Sequence, residues 1–151
     1  MRLIIDNEVI IIPACAWLIA QLLKVFLSWV YDKKADWSLI VAMGGMPSAH
    51  TTLVCALVTM VGFVEGVETT TFAIALFLAA IVIYDAAGVR QTVSSQSVVI
   101  NRILDELLKG NPTFEHRLRE LIGHTKIEVL AGVILGVSVS LVAMWILRSL
   151  S

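Results

Sequence analysis

Two histidines in this chain stand beside residues able to tune them. His50 closes the run Pro47-Ser48-Ala49-His50, and His124 precedes Glu128 by four residues. Lys24, Asp85 and Arg90 add further ionisable groups, each within or at the end of an apolar stretch. Such groups are costly inside membrane segments and mark functional sites by default. Histidine titrates near neutral pH, so the pair can move protons, while Lys and Arg can hold oxyanions. With the two carboxylates, Asp85 and Glu128, the set suits a bound phosphoryl group with acid–base chemistry around it. Metal binding is not expected: Cys15 and Cys55 lie forty residues apart in apolar surroundings and match neither a metal motif nor a disulfide framework.

The elements that must position these residues are membrane helices. Apolar residues make up 58% of the 151-residue chain and charged ones 15%, against about 45–50% and 25% in soluble domains. A chain this short buries only about two-thirds of its unfolded surface, so the apolar excess excludes a soluble monomer. A net charge of −1 gives no reason to expect nucleic acid as a partner. The reading is all-α: one integral-membrane domain over residues 1–151, a bundle of about four spans. About 20 apolar residues cross the hydrocarbon layer, and the candidates run from about Val9 to Val30, Met46 to Val64, Thr71 to Val89 and Ile127 to Leu147. The first is not read as a cleaved signal peptide, because its flank lacks a net positive charge and no small-residue cleavage pattern follows. Between the last two spans, Val99, Ile100, Ile103, Leu104, Leu107 and Leu108 recur at helical spacing opposite Asn101, Arg102, Asp105 and Glu106. This predicts an amphipathic helix at the interface, with a second short one over Phe114–Ile122.

Basic loops stay on the cytosolic side. With the N-terminus outside, Lys33, Lys34, Arg90, Arg102, Lys109, Arg117, Arg119 and Lys126 lie inside, and only Arg2 and Arg148 outside. In that topology Lys24, Pro47–His50, Asp85–Arg90 and His124–Glu128 all fall at the inner ends of their spans. The second and fourth helices also aim their N-termini, with free N–H groups and partial positive charge, into this layer.

The run Gly44-Gly45-Met46-Pro47-Ser48-Ala49-His50-Thr51-Thr52 resembles the Pro-Ser-Gly-His signature of the type-2 phosphatidic acid phosphatase superfamily, which includes vanadium-dependent haloperoxidases. Tyr84–Arg90 and Gly123-His124-Thr125 with Glu128-Val129 look like its small, divergent bacterial and plant branch. The resemblance covers about residues 8 to 147. It implies that His124 is the nucleophile on phosphorus and that Glu128, one helical turn on, orients its ring. It implies that His50 is the general acid, and that Lys24, Ser48 and Arg90 hold phosphate oxygens. The chain departs from the superfamily pattern at several places. Tyr31-Asp32 replaces an Arg-Pro pair, Leu118 takes the place of an Arg six residues before the nucleophile, Glu128 stands for Asp and Ala49 for Gly. The phosphate cage is thus either rebuilt from Arg90 and Arg119 or incomplete.

Each residue also has a structural reading. Ser48 can simply cap the second helix, and Thr125-Lys126-Ile127-Glu128 is a capping box in which Glu128 need not touch His124. Lys24 can snorkel to the interface. Asp85 suits packing electrostatics with Lys24 or Arg90, and His116 suits solvation. Gly132-x-x-x-Gly136 marks close helix contact, within the bundle or across a homodimer. The expectation is a metal-independent lipid phosphate phosphatase, needing no cofactor, in a bacterial inner or plastid-type membrane with its site facing the cytosol. Its partners are a lipid phosphate substrate and membrane lipids. The alternative is a non-catalytic anionic-lipid binder or small transporter using the same cationic pocket; haloperoxidase chemistry fits less well, since nothing marks halide selectivity.

Overall fold

The computed structural model describes residues 7–33, 45–89, 96, 99–100, 103 and 126–150, and all its regular structure there is helical. Helix α1 spans Glu8–Asp32, α2 Ala49–Val64, α3 Thr70–Tyr84 and α4 Lys126–Leu150; a π-helical turn, Asp85–Val89, extends α3. The fold is an all-α membrane helix bundle. Three helices are long and apolar enough to cross a bilayer: Glu8–Val30, Thr70–Gly88 and Lys126–Ser149. The 16-residue α2 is shorter, about 24 Å at 1.5 Å per residue. It starts three residues later than the apolar pattern predicts, because Ser48 caps it and Met46-Pro47 precede it as bends. The predicted helix over Phe114–Ile122 lies outside the described residues. Of the amphipathic segment, Val99, Ile100 and Ile103 are described as helical and exposed.

The helix ends follow local rules. Asn7 Oδ1 accepts the Val9 N–H at 3.0 Å and starts α1. Lys33, in the left-handed region at φ 53°, stops it. Gly66, at φ 96°, turns the chain between α2 and α3, and the Thr69 hydroxyl caps α3 by accepting the Phe72 N–H at 3.2 Å.

Helix α2 is the hub, packing against α1, α3 and α4; α1 also packs against α4. Its contact with α4 is a parallel seam of small residues in one register. A Cβ on Gly132 would sit 2.6 Å from the Ser48 carbonyl oxygen, one on Gly136 would collide with the Thr52 carbonyl oxygen, and Ser140 Oγ donates to the Ala56 carbonyl at 3.3 Å. Each contact joins residues 84 apart. The Gly-x-x-x-Gly pair therefore serves contact within the bundle: without side chains, the two backbones approach closely, and packing replaces the hydrophobic drive that lipid removes. Helix α3 is peripheral, burying only Ala75 and Ala79 along its regular length.

Outward-facing positions are apolar, as a lipid-facing surface requires. Phe77 is 70% exposed, and Leu22, Phe26, Ile74, Ile81, Leu130 and Ile134 are also exposed. Trp29 and Tyr84 near one end of the bundle and Trp145 near the other match the aromatic belts of membrane proteins.

Candidate functional site at the polar end of the bundle

The site grows from the end where α2 and α4 begin. Helix α1 enters it with a buried stripe, Ala16, Ala20, Gln21, Lys24 and Val25, at the spacing of one helix face. Lys24 lies sixteen residues after Glu8, about 24 Å along the axis, and is only 4% exposed. It does not snorkel outward. Its stem lies against Gly45, where a Cβ would meet Lys24 Cδ at 3.7 Å and Cγ at 3.9 Å. Glu128, half-buried in the first turn of α4, acts electrostatically on its ammonium. Among the described residues, the charge that acts on Lys24 is that of Glu128.

Ser48 knots the elements together. Its N–H donates to the Glu128 backbone carbonyl at 3.0 Å, and its carbonyl accepts from the Thr52 N–H at 3.0 Å and the Thr52 hydroxyl at 2.9 Å. Its Oγ accepts from the Thr51 hydroxyl at 3.0 Å and, at 3.5 Å, from the Thr51 N–H. Ser48, Thr51 and Thr52 are fully buried. Ser48 is therefore the N-cap of α2 and the pin between α2 and α4, the structural role that Pro-Ser before a helix predicts. His50, two residues on, is exposed at the first turn of α2.

Asp85 opens the π turn that ends α3. Its N–H is shared between the Ile81 and Val82 carbonyls, and this widened turn approaches α4. Single π turns often sit at functional sites. An open apolar groove lined by Phe77, Ala80, Ile81 and Tyr84 runs along the same helix to Asp85.

The structure thus brings Lys24, Ser48 and Glu128 together from three helices and leaves His50 exposed on α2. His124, Arg90 and Thr125, with the capping box that Thr125 would begin, lie outside the described residues, as does Arg119. Sequence reasoning gave no role to Gly45, which flanks the lysine stem, or to Thr51 and Thr52, which hold Ser48. The available signal was the repeat of small residues 84 positions apart, visible only if two parallel helices are assumed.

Comparison with known proteins agrees with this architecture. No solved structure matches the chain. A membrane protein of Bacillus subtilis (strain 168), YuiD, itself uncharacterized, is 32% identical over 150 residues, covering 92% of this chain and 95% of that protein. A family model described as the Divergent PAP2 family matches residues 5–139. With a buried lysine, a capped helix N-terminus and a carboxylate gathered at one end of a membrane bundle, this chain belongs to the Divergent PAP2 family.

Proposed function

We propose that the protein is a membrane-embedded phosphatase that hydrolyses a lipid phosphate monoester or diphosphate through a phosphohistidine, without a metal ion. The observation that carries this reading is the convergence of Lys24, the N-terminus of α2 behind Ser48, and Glu128 at one end of the bundle. A buried ammonium beside a helix N-terminus suits a phosphate headgroup whose tails stay in lipid. By positive-inside reasoning this end faces the cytosol. A cytosolic site suits phosphatidate or phosphatidylglycerol phosphate better than an undecaprenyl carrier recycled on the outer face.

In the reaction, a ring nitrogen of His124 attacks phosphorus, held in position by Glu128 on the other nitrogen. The P–O bond to the leaving group breaks, and His50 gives its proton to the departing oxygen, the lipid alkoxide of a monoester or the lipid monophosphate of a diphosphate. Water then attacks the phosphohistidine and the P–N bond breaks. His50 takes the proton that water loses, so both imidazoles return to their starting states. Lys24, Arg90, Ser48 and the α2 N-terminus spread the charge on the equatorial oxygens, the main contribution in phosphoryl transfer.

The purified full-length protein in detergent should release phosphate from short-chain lipid phosphates in excess chelator, and orthovanadate should inhibit it. His124→Ala should lower turnover by about 10⁴-fold or more with an unchanged melting curve. A variant that keeps its activity removes His124 from the role. Wild-type protein that binds lipid phosphate without ever cleaving it makes the pocket a binding site.

A further inference from the structure

Lys24 and Glu128 meet through one short stretch of chain. The Lys24 stem lies against Gly45, and three residues later the Ser48 N–H donates to the backbone carbonyl of Glu128 at 3.0 Å. Helices α1 and α4 also pack directly against each other. Lys24 is almost wholly buried and Glu128 half-buried. An ammonium withdrawn from water needs an anion close by, since its lost hydration is otherwise uncompensated. Helix α4 supplies one from its first turn, and the Glu128 charge acts on Lys24.

We propose that Glu128 is the resident counterion of Lys24: in the empty site its carboxylate neutralises the ammonium, and an incoming oxyanion takes its place. This rests on the reading of Lys24 as an anion ligand. It adds a cost to binding, because each phosphate must displace a carboxylate, and it favours ligands with enough negative charge to do so.

The counterion role is read from its dependence on Lys24. Neutralising a resident counterion tightens anion binding only while the lysine is present, whereas removing a carboxylate that merely repels the anion or orients His124 acts whether or not Lys24 is there. Titrating orthovanadate into the purified full-length protein by calorimetry reads this without any turnover. Glu128→Gln should bind about tenfold tighter than wild type, and Lys24→Met about tenfold weaker. The double variant should match Lys24→Met, because Glu128 has no effect once the lysine is gone. Glu128→Asp keeps the charge on a shorter arm and should fall between wild type and Glu128→Gln, which preserves the test if the amide variant does not purify. Equal or weaker binding by Glu128→Gln and Glu128→Asp, with wild type binding normally, overturns the counterion role and leaves the anion site standing. Absence of binding by wild type and every variant overturns both.

Discussion

The two ends of the bundle use the same seam for different purposes. At one end the α2–α4 contact is surrounded by Lys24, Gln21, Thr51, Thr52 and Glu128; at the other it is closed by Met60, Val61, Ala56 and Ser140, with Ile12 and Ala16 buried on α1. Met60, Ala56 and Ala16 have no exposed surface. On that far side, where Glu8, Glu65 and Glu68 lie exposed at the helix ends, Arg148 stands 5.8 Å from the Phe63 ring, a cation–π contact. The backbone packing is uniform, held by one 84-residue offset from Ser48 to Ser140, so the difference lies in the side chains around it. One seam thus joins an end where a lysine, hydroxyls and a carboxylate gather to an end where apolar side chains close the contact.

Variants at matched positions test that contrast. The largest effect is expected from Lys24→Met, which should lower kcat/KM by about 10²- to 10³-fold, the scale on which a preorganised charge contributes to a transition state. It should also destabilise the bundle, because the ammonium whose charge acts with that of half-buried Glu128 is gone; the Lys24→Met/Glu128→Gln double variant should recover the melting temperature but not the activity. Recovery of both would make the pair purely structural. Next comes Gly136→Ala, whose methyl has no room against Thr52. It should cost about 1–3 kcal/mol by overpacking, read as loss of folded protein in a detergent or denaturant titration. Its effect on KM should be smaller than that of Gly132→Ala, which strikes the same seam beside Ser48.

The smallest effects distinguish two buried serines on one seam. Ser48→Ala removes a helix cap and should cost about 1 kcal/mol while raising KM, since the helix N-terminus it orders faces the site. Ser140→Ala removes a hydroxyl hydrogen bond between membrane helices and should cost about 0.6 kcal/mol with unaltered kinetics. Equal kinetic effects from the two would mean that the polar end has no special part in the reaction.

Much of this was legible in the residues. The four apolar segments fall within a few residues of the observed helices, since the length needed to cross lipid leaves little freedom. Ser48 was legible as a cap because Pro-Ser before an apolar run leaves few alternatives. The carboxylate that acts on Lys24 was not: Asp85 and Glu128 both stand near span ends, and one-dimensional order does not rank their distances from α1. The Gly132–Gly136 pair announced a close contact without saying with what, because a small-residue face is equally suited to a helix of the same chain or of another.

The amino-acid sequence by itself determined that the protein is a helical membrane bundle and where along each helix the charges must stand, because hydration cost forces apolar stretches into lipid and gathers ionisable groups at their ends. Only the tertiary structure decided which of those groups meet. The choice of Gly132 and Gly136 to lie on α2, and of Lys24 to face Glu128, depends on how closely two backbones approach and in what register, a property of pairs of helices that no single helix contains.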